Sequence, residues 1–98
     1  MPADAIIEYP SPNYDLRHTD MVVDMLVVHY TGMVSATVAL ERLCDTKSKV
    51  SAQYCIDEDG RIYRLVAENF RAWHAGASYW RGETDINNRS IGIEMVNP

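Results

Sequence analysis

Apolar positions in this chain fall into three rhythms. The first is continuous: Val22-Val23-Asp24-Met25-Leu26-Val27-Val28-His29-Tyr30-Thr31-Gly32. From Met25 to Val28 nothing polar alternates, which predicts a central strand buried on both faces. Gly32 stops it, so His29 falls at the strand end, where α/β proteins usually place their chemistry. The second rhythm is helical. Ala36, Ala39, Leu40 and Leu43 recur at i, i+3, i+4 and i+7 behind a Ser35 N-cap, with Thr37, Glu41, Arg42 and Asp45 on the other side. This predicts a helix fading near Asp45, followed by a loop at Lys47-Ser48-Lys49.

The third rhythm has period two. Ala52 to Asp57 and Arg61 to Val66 read as strands joined across Glu58-Asp59-Gly60, whose Asp-Gly pair signals a hairpin. Alternation puts Ala52, Tyr54 and Ile56 on one face and Gln53 and Cys55 on the other. Ser90 to Val96 reads as a last strand, with Ile91, Ile93 and Met95 on one face and Gly92 and Glu94 on the other.

Two stretches lack a rhythm. Residues 1–20 read as an N-terminal arm: Pro10 and Pro12 forbid helix, Asn13 and Asp15 form turns, and Tyr9, Tyr14 and Leu16 are available to pin it. His18, in Arg17-His18-Thr19-Asp20, reads as solvent-exposed. Residues 67–89 read as loop, with a turn at Asn87-Asn88. Residues 21–98 are then the domain proper. The expected class is α/β, a mixed central β-sheet flanked by helices.

Composition narrows the picture. A chain of 98 residues makes one domain with a single core. No window approaches the roughly 20 apolar residues of a membrane span. Net charge is −5 and no basic patch stands out, which argues against nucleic acid as a partner. The start, Met1-Pro2-Ala3-Asp4, lacks the basic and apolar regions of a signal peptide. A cytoplasmic location is expected, with the periplasm or cell envelope open to a form bearing an upstream signal. Cys44 and Cys55 form no CxxC pair and read as reduced, buried small hydrophobes.

Four positions carry candidate chemistry, each beside a plainer reading. His29 is either a ligand or a histidine satisfied at the sheet end. Tyr54 is either a core aromatic or a hydroxyl aimed at a site. Ala72-Trp73-His74-Ala75-Gly76 and Ser78-Tyr79-Trp80-Arg81-Gly82 either line a cleft or pin a loop through their tryptophans. Glu94, among isoleucine, methionine and valine, is costly unless paired or functional, and Gly92 leaves space before it.

Five motifs occur in order: His29-Tyr30-Thr31; Ser51-Ala52-Gln53-Tyr54 with Ile56-Asp57; Asp59-Gly60-Arg61-Ile62-Tyr63; Ala72-Trp73-His74-Ala75-Gly76; and Ser90-Ile91-Gly92-Ile93-Glu94. From about Ser11 to Pro98 the chain thereby resembles the zinc-dependent N-acetylmuramoyl-L-alanine amidases of the type-2 family, related to peptidoglycan recognition proteins and T7-type lysozyme. The resemblance implies hydrolysis of the amide between N-acetylmuramic acid and the first L-alanine of the stem peptide, by zinc-activated water, on peptidoglycan or muropeptide fragments. It implies His29 as a zinc ligand, Glu94 as general base and Tyr54 as a catalytic-site tyrosine. Trp73, His74, Trp80 and Asn97 then meet the substrate.

The chain departs from that pattern in two places. Gln53 stands where many relatives carry histidine. The second zinc histidine, the third ligand and a nearby lysine of the family lie beyond Pro98, so the resemblance marks this chain as the N-terminal part of an amidase domain. A fallback metal set of His29, His74 and Glu94 would use up the base. The rival class is a non-catalytic peptidoglycan-binding module with an incomplete metal site. A Cys55–histidine hydrolase is a weaker third reading.

Overall fold

The computed structural model describes residues 6–17, 22–33, 35–75 and 85–97. His18, Trp80 and the rest of the aromatic loop beyond Ala75 lie outside them. Strands β1 (Ile6–Glu8), β3 (Met25–Tyr30), β4 (Tyr54–Ile56), β5 (Ile62–Arg64) and β7 (Ser90–Met95) form one mixed sheet in the order β1-β5-β4-β7-β3. Strands β2 (Tyr14–Leu16) and β6 (Phe70–Ala72) pair antiparallel as a second, two-stranded sheet. Helix α1 spans Ala36–Cys44, and a 3-10 helix at Ile86–Arg89 leads into β7.

The helix forms as its spacing predicts. Ser35 Oγ accepts a hydrogen bond from the Val38 amide, and the buried helix residues are Ala36, Ala39, Leu40 and Leu43. They pack with Cys55, Leu65, Val66, Ala72 and Val96 into one core on one face of the sheet. The hairpin of β4 and β5 closes where Asp-Gly places it. Gly60 takes φ +90°, a conformation that favours glycine, and its amide donates to Asp57 O at 2.9 Å. Both cysteines are free; Cys55 is buried and Cys44 only partly so.

Two expectations need correcting. Among the described residues β3 lies at a sheet edge, and it is not buried on both faces. Leu26, Val28 and Tyr30 are 65%, 45% and 68% exposed. Strand β7 takes the central place instead, running parallel to both β4 and β3. An unbroken apolar run has the same pattern whether its second face is covered or open, so periodicity cannot separate the two.

Residues 6–16 also do more than pin an arm. β1 adds a parallel strand beside β5, with Ile6 opposite Ile62, and β2 pairs with β6. Tyr9 meets Tyr63 edge-on and Tyr14 packs on Phe70, whereas Leu16 is exposed. Ser11 and Asn13 are buried between them. The Asn13 side-chain amide donates to Asp45 O and Val50 O, both at 2.9 Å, clamping the end of α1 to the start of the hairpin segment. Asn13→Ala removes this donor from both carbonyls, although Asp45 O keeps its hydrogen bonds from the Ser48 amide and hydroxyl. It should cost about 1–3 kcal/mol in denaturant unfolding; an unchanged midpoint would remove the clamp from the account.

Candidate functional site

Parallel pairing of β3 with β7 sets the site. Val27 lies opposite Gly92 and His29 opposite Glu94; on the far side of β7, Cys55 lies opposite Glu94. Paired residues share a face, so His29, Glu94 and Cys55 all project to the side that carries α1. There His29, Thr31, Ala39, Arg42, His74 and Glu94 help line a cavity of about 250 Å³. Arg42, which the helical spacing puts on the side away from the apolar face, belongs to this wall.

His74 arrives from the segment after β6. Its ring lies over Gly92, close enough that a Cβ there would come within 2.4 Å of the ring carbons. Nδ1 of His74 is 3.0 Å from Nε2 of His29, and Nε2 of His74 is 3.0 Å from Oγ of Ser90. The backbone is fixed too. Asn87 Oδ1 accepts from the amides of His74 and Ala75 at 3.0 and 2.8 Å. Burial is the main cause that pushes the His74 pKa down, to about 4, with the nearby His29 adding to it, so the ring is neutral at pH 7.

Glu94 accepts no hydrogen bond among the described residues. Burial raises its pKa, with His29 and Arg42 pulling the other way. A carboxyl held above its ordinary range beside a histidine in a cavity is suited to proton transfer. Cys55, on the same face, is completely buried, and burial is the first cause that raises its thiol, to about 11. It is therefore a protonated core residue with little nucleophilic character, which disposes of the cysteine-hydrolase reading.

Tyr54 is not brought to this cavity. It pairs with Ile93 on the opposite face, and its hydroxyl donates to the Glu68 carboxylate. Trp73 lines a neighbouring open cleft with Asp15, Lys49, Arg71 and Asn87, and His74 belongs to both walls. Asn97 is exposed; its amide lies 3.4 Å from the Thr31 hydroxyl on the cavity rim. Gln53, in place of a histidine, is fully buried. Its Oε1 accepts from the Gly92 amide at 2.7 Å and its Nε2 donates to Phe70 O.

Ser90 and Asn87 escape a sequence reading. Ser90 looks like an ordinary strand-start residue and Asn87 like an ordinary turn former.

The zinc implied by the resemblance can be tested against these donors. Among the described residues no group of three or more His, Cys, Asp or Glu side chains gathers to hold a metal. In the fallback set, the facing nitrogens of His29 and His74 are hydrogen-bonded to each other. The described residues thus offer His29 as one ligand and do not complete a zinc site.

Comparison with known proteins points one way. The family model described as N-acetylmuramoyl-L-alanine amidase matches residues 19–98. The chain is 39% identical over 84 residues to N-acetylmuramoyl-L-alanine amidase AmiD of Escherichia coli (strain K12), covering 76% of this chain and 29% of that protein. It is 34% identical over 103 residues to 1,6-anhydro-N-acetylmuramyl-L-alanine amidase AmpD of the same strain, covering 88% and 56%. A crystal structure of a selenomethionine derivative of AmpD superposes with TM-score 0.84 at 32% identity, over 96% of this chain and 62% of that one. E. coli AmiD in complex with the substrate anhydro-N-acetylmuramic acid-L-Ala-D-gamma-Glu-L-Lys superposes with TM-score 0.64 at 37% identity, over 89% and 32%. The chain spans about half the length of AmpD and under a third of AmiD. With its mixed sheet, its helix-covered His29–Glu94 cavity and a family match over most of its length, the chain belongs to the N-acetylmuramoyl-L-alanine amidase family.

Proposed function

We propose that the complete protein hydrolyses the amide between N-acetylmuramic acid and L-alanine of the stem peptide, in peptidoglycan or its muropeptide fragments. The observation that carries this reading is the direct cross-strand pairing of His29 with Glu94 at the rim of one cavity. Amide hydrolysis needs a proton taken from the attacking water and one returned to the departing nitrogen. Glu94, with its raised pKa, is the group suited to both. We infer zinc as the cofactor, with His29 as one ligand and the other donors from outside the described residues.

Substrate binding is assigned to the neighbouring cleft and the rim, through Trp73 and His74, with Trp80 and Asn97 kept in the proposal. Trp73→Ala should weaken muropeptide binding by about tenfold while leaving the unfolding temperature within a few degrees, because the side chain is only half-buried. A loss of binding that merely tracks a loss of stability would make Trp73 a pin. Tyr54 stands as a proposal only for a role that reaches it from the opposite face.

A second reading has one observation behind it. The lack of a three-ligand group among the described residues fits a muropeptide-binding module without catalysis. Incubating the complete protein with a muropeptide and following release of the free stem peptide by mass spectrometry decides between them. Cleavage at the lactyl–alanine amide supports the enzyme. Binding without cleavage, in zinc-supplemented buffer, would sink it in favour of the module.

A further inference from the structure

Among the described residues the arginines divide sharply. Arg17 donates to four carbonyls, and Arg61, Arg64, Arg71 and Arg89 pair with carboxylates. The Arg42 guanidinium makes no hydrogen bond or ion pair among the described residues, and it stands on the wall of the His29–Glu94 cavity. It follows Ala39, another wall residue, by one helical turn. Ala39 contributes only a methyl group to that wall, which leaves room. The long arginine stem lets the charged head reach a wall that its Cα does not face. Glu94 lines the same cavity from the sheet, with no hydrogen bond joining it to Arg42. The cavity thus has a cation on its helix wall, a carboxyl on its sheet wall and about 250 Å³ of space lined by both.

We propose that Arg42 is a specificity-determining residue that receives a carboxylate of the stem peptide, the first beyond the scissile amide. This rests on the function proposed above. A guanidinium is charged at every working pH, and its planar fork matches a carboxylate with two parallel hydrogen bonds. A stem peptide brings its carboxylates to a chain of net charge −5 and to a cavity that already holds Glu94. A free cation on the wall offsets that repulsion where the peptide must enter. With the scissile amide at Glu94, a carboxylate on the second stem residue lies one to two residue lengths away, about 4–7 Å. The neighbouring cleft offers a rival recipient in Lys49, whereas Arg71 there is taken by Asp15 and Asp85.

Two muropeptides test this on the complete protein. One is anhydro-N-acetylmuramic acid-L-Ala-D-gamma-Glu-L-Lys, the ligand of the E. coli AmiD complex. The other is the same molecule with the glutamate α-carboxylate converted to an amide. The free carboxylate should be favoured about ten- to a hundredfold, both in kcat/KM and in the Kd measured by calorimetry with Glu94→Gln slowing turnover. Arg42→Ala should bring the two probes within about twofold of each other, weakening the carboxylate form and sparing the amide. Arg42 is exposed and alanine is a strong helix former, so this variant keeps its fold.

Equal treatment of the two probes by the parent protein would overturn the assignment. So would a preference that survives Arg42→Ala, or one that Lys49→Ala abolishes instead. An Arg42→Ala variant that slows both probes equally would place its effect on the reaction and away from the carboxylate, and would overturn it too. Binding that shows the preference without cleavage leaves Arg42 its role and defeats the amidase reading alone. Binding of neither probe defeats both.

Discussion

Glu94→Gln should lower amide hydrolysis by the complete protein about a hundred- to ten-thousandfold and, in the same substitution, stabilise the fold at neutral pH. The first effect follows from removing the carboxylate that, among the described residues, shares the cavity with His29. The second follows from the raised pKa of Glu94. A folded-state pKa above the unfolded value, about 4.3 for glutamate, means that the folded chain binds the proton more tightly. The penalty for ionising Glu94 is absent below that unfolded value. It grows as pH rises towards the folded value and is constant above it. Glutamine carries no such penalty. The unfolding free energies of mutant and parent should thus converge in acid and separate with the mutant ahead at pH 7. Chemical denaturation at a series of pH values checks this, and a mutant less stable than its parent at pH 7 would contradict it. Near-normal turnover would take Glu94 out of the mechanism.

Gly92→Ala should be the most damaging small substitution in the sheet. The added Cβ would sit 2.4 Å from the ring carbons of His74, far inside contact distance. A ring at the end of a free side chain could swing aside. This one is tethered at both nitrogens, to Ser90 and His29, and its backbone is tied to Asn87. Either the strand shifts or the ring leaves its seat. Overpacking of this kind costs about 1–3 kcal/mol. The His29–His74 contact should be lost as well, visible as a change in the histidine ring resonances. An alanine variant with parental stability and unaltered rings would show that the seat has room to spare.

The sequence reading succeeds where a period is long enough to repeat. Helix α1 and β7 repeat their periods, and the Asp-Gly pair marks the hairpin although β4 and β5 are only three residues each. The alternation in β7 puts Gly92 and Glu94 together, and the structure adds that His29 is their neighbour. Three-residue strands with no turn signal joining them offer neither cue. β1, β2 and β6 are built by hydrogen bonds to distant partners, so Pro10 and Pro12 dominate the local reading of one end and Trp73 that of the other. The face of Tyr54 follows from alternation, but only pairing with Ile93 shows that this face is the one away from Glu94. The Ser90–His74–His29 chain joins residues 16 and 45 positions apart, a relation that no local pattern encodes.

Arg17 gives the N-terminal segment a bearing on the chemistry that its place in the sequence conceals. Its guanidinium donates to four carbonyls, those of Glu68, Asn87, Asn88 and Ser90, at 2.9–3.0 Å. Two of those residues, Asn87 and Ser90, hold His74. The family match begins at residue 19, two positions after this arginine. A boundary drawn by sequence similarity therefore passes between the histidine pair and the side chain that braces it. Variation upstream of that boundary, which a family comparison would treat as peripheral, reaches the histidine pair through the carbonyls that Arg17 holds.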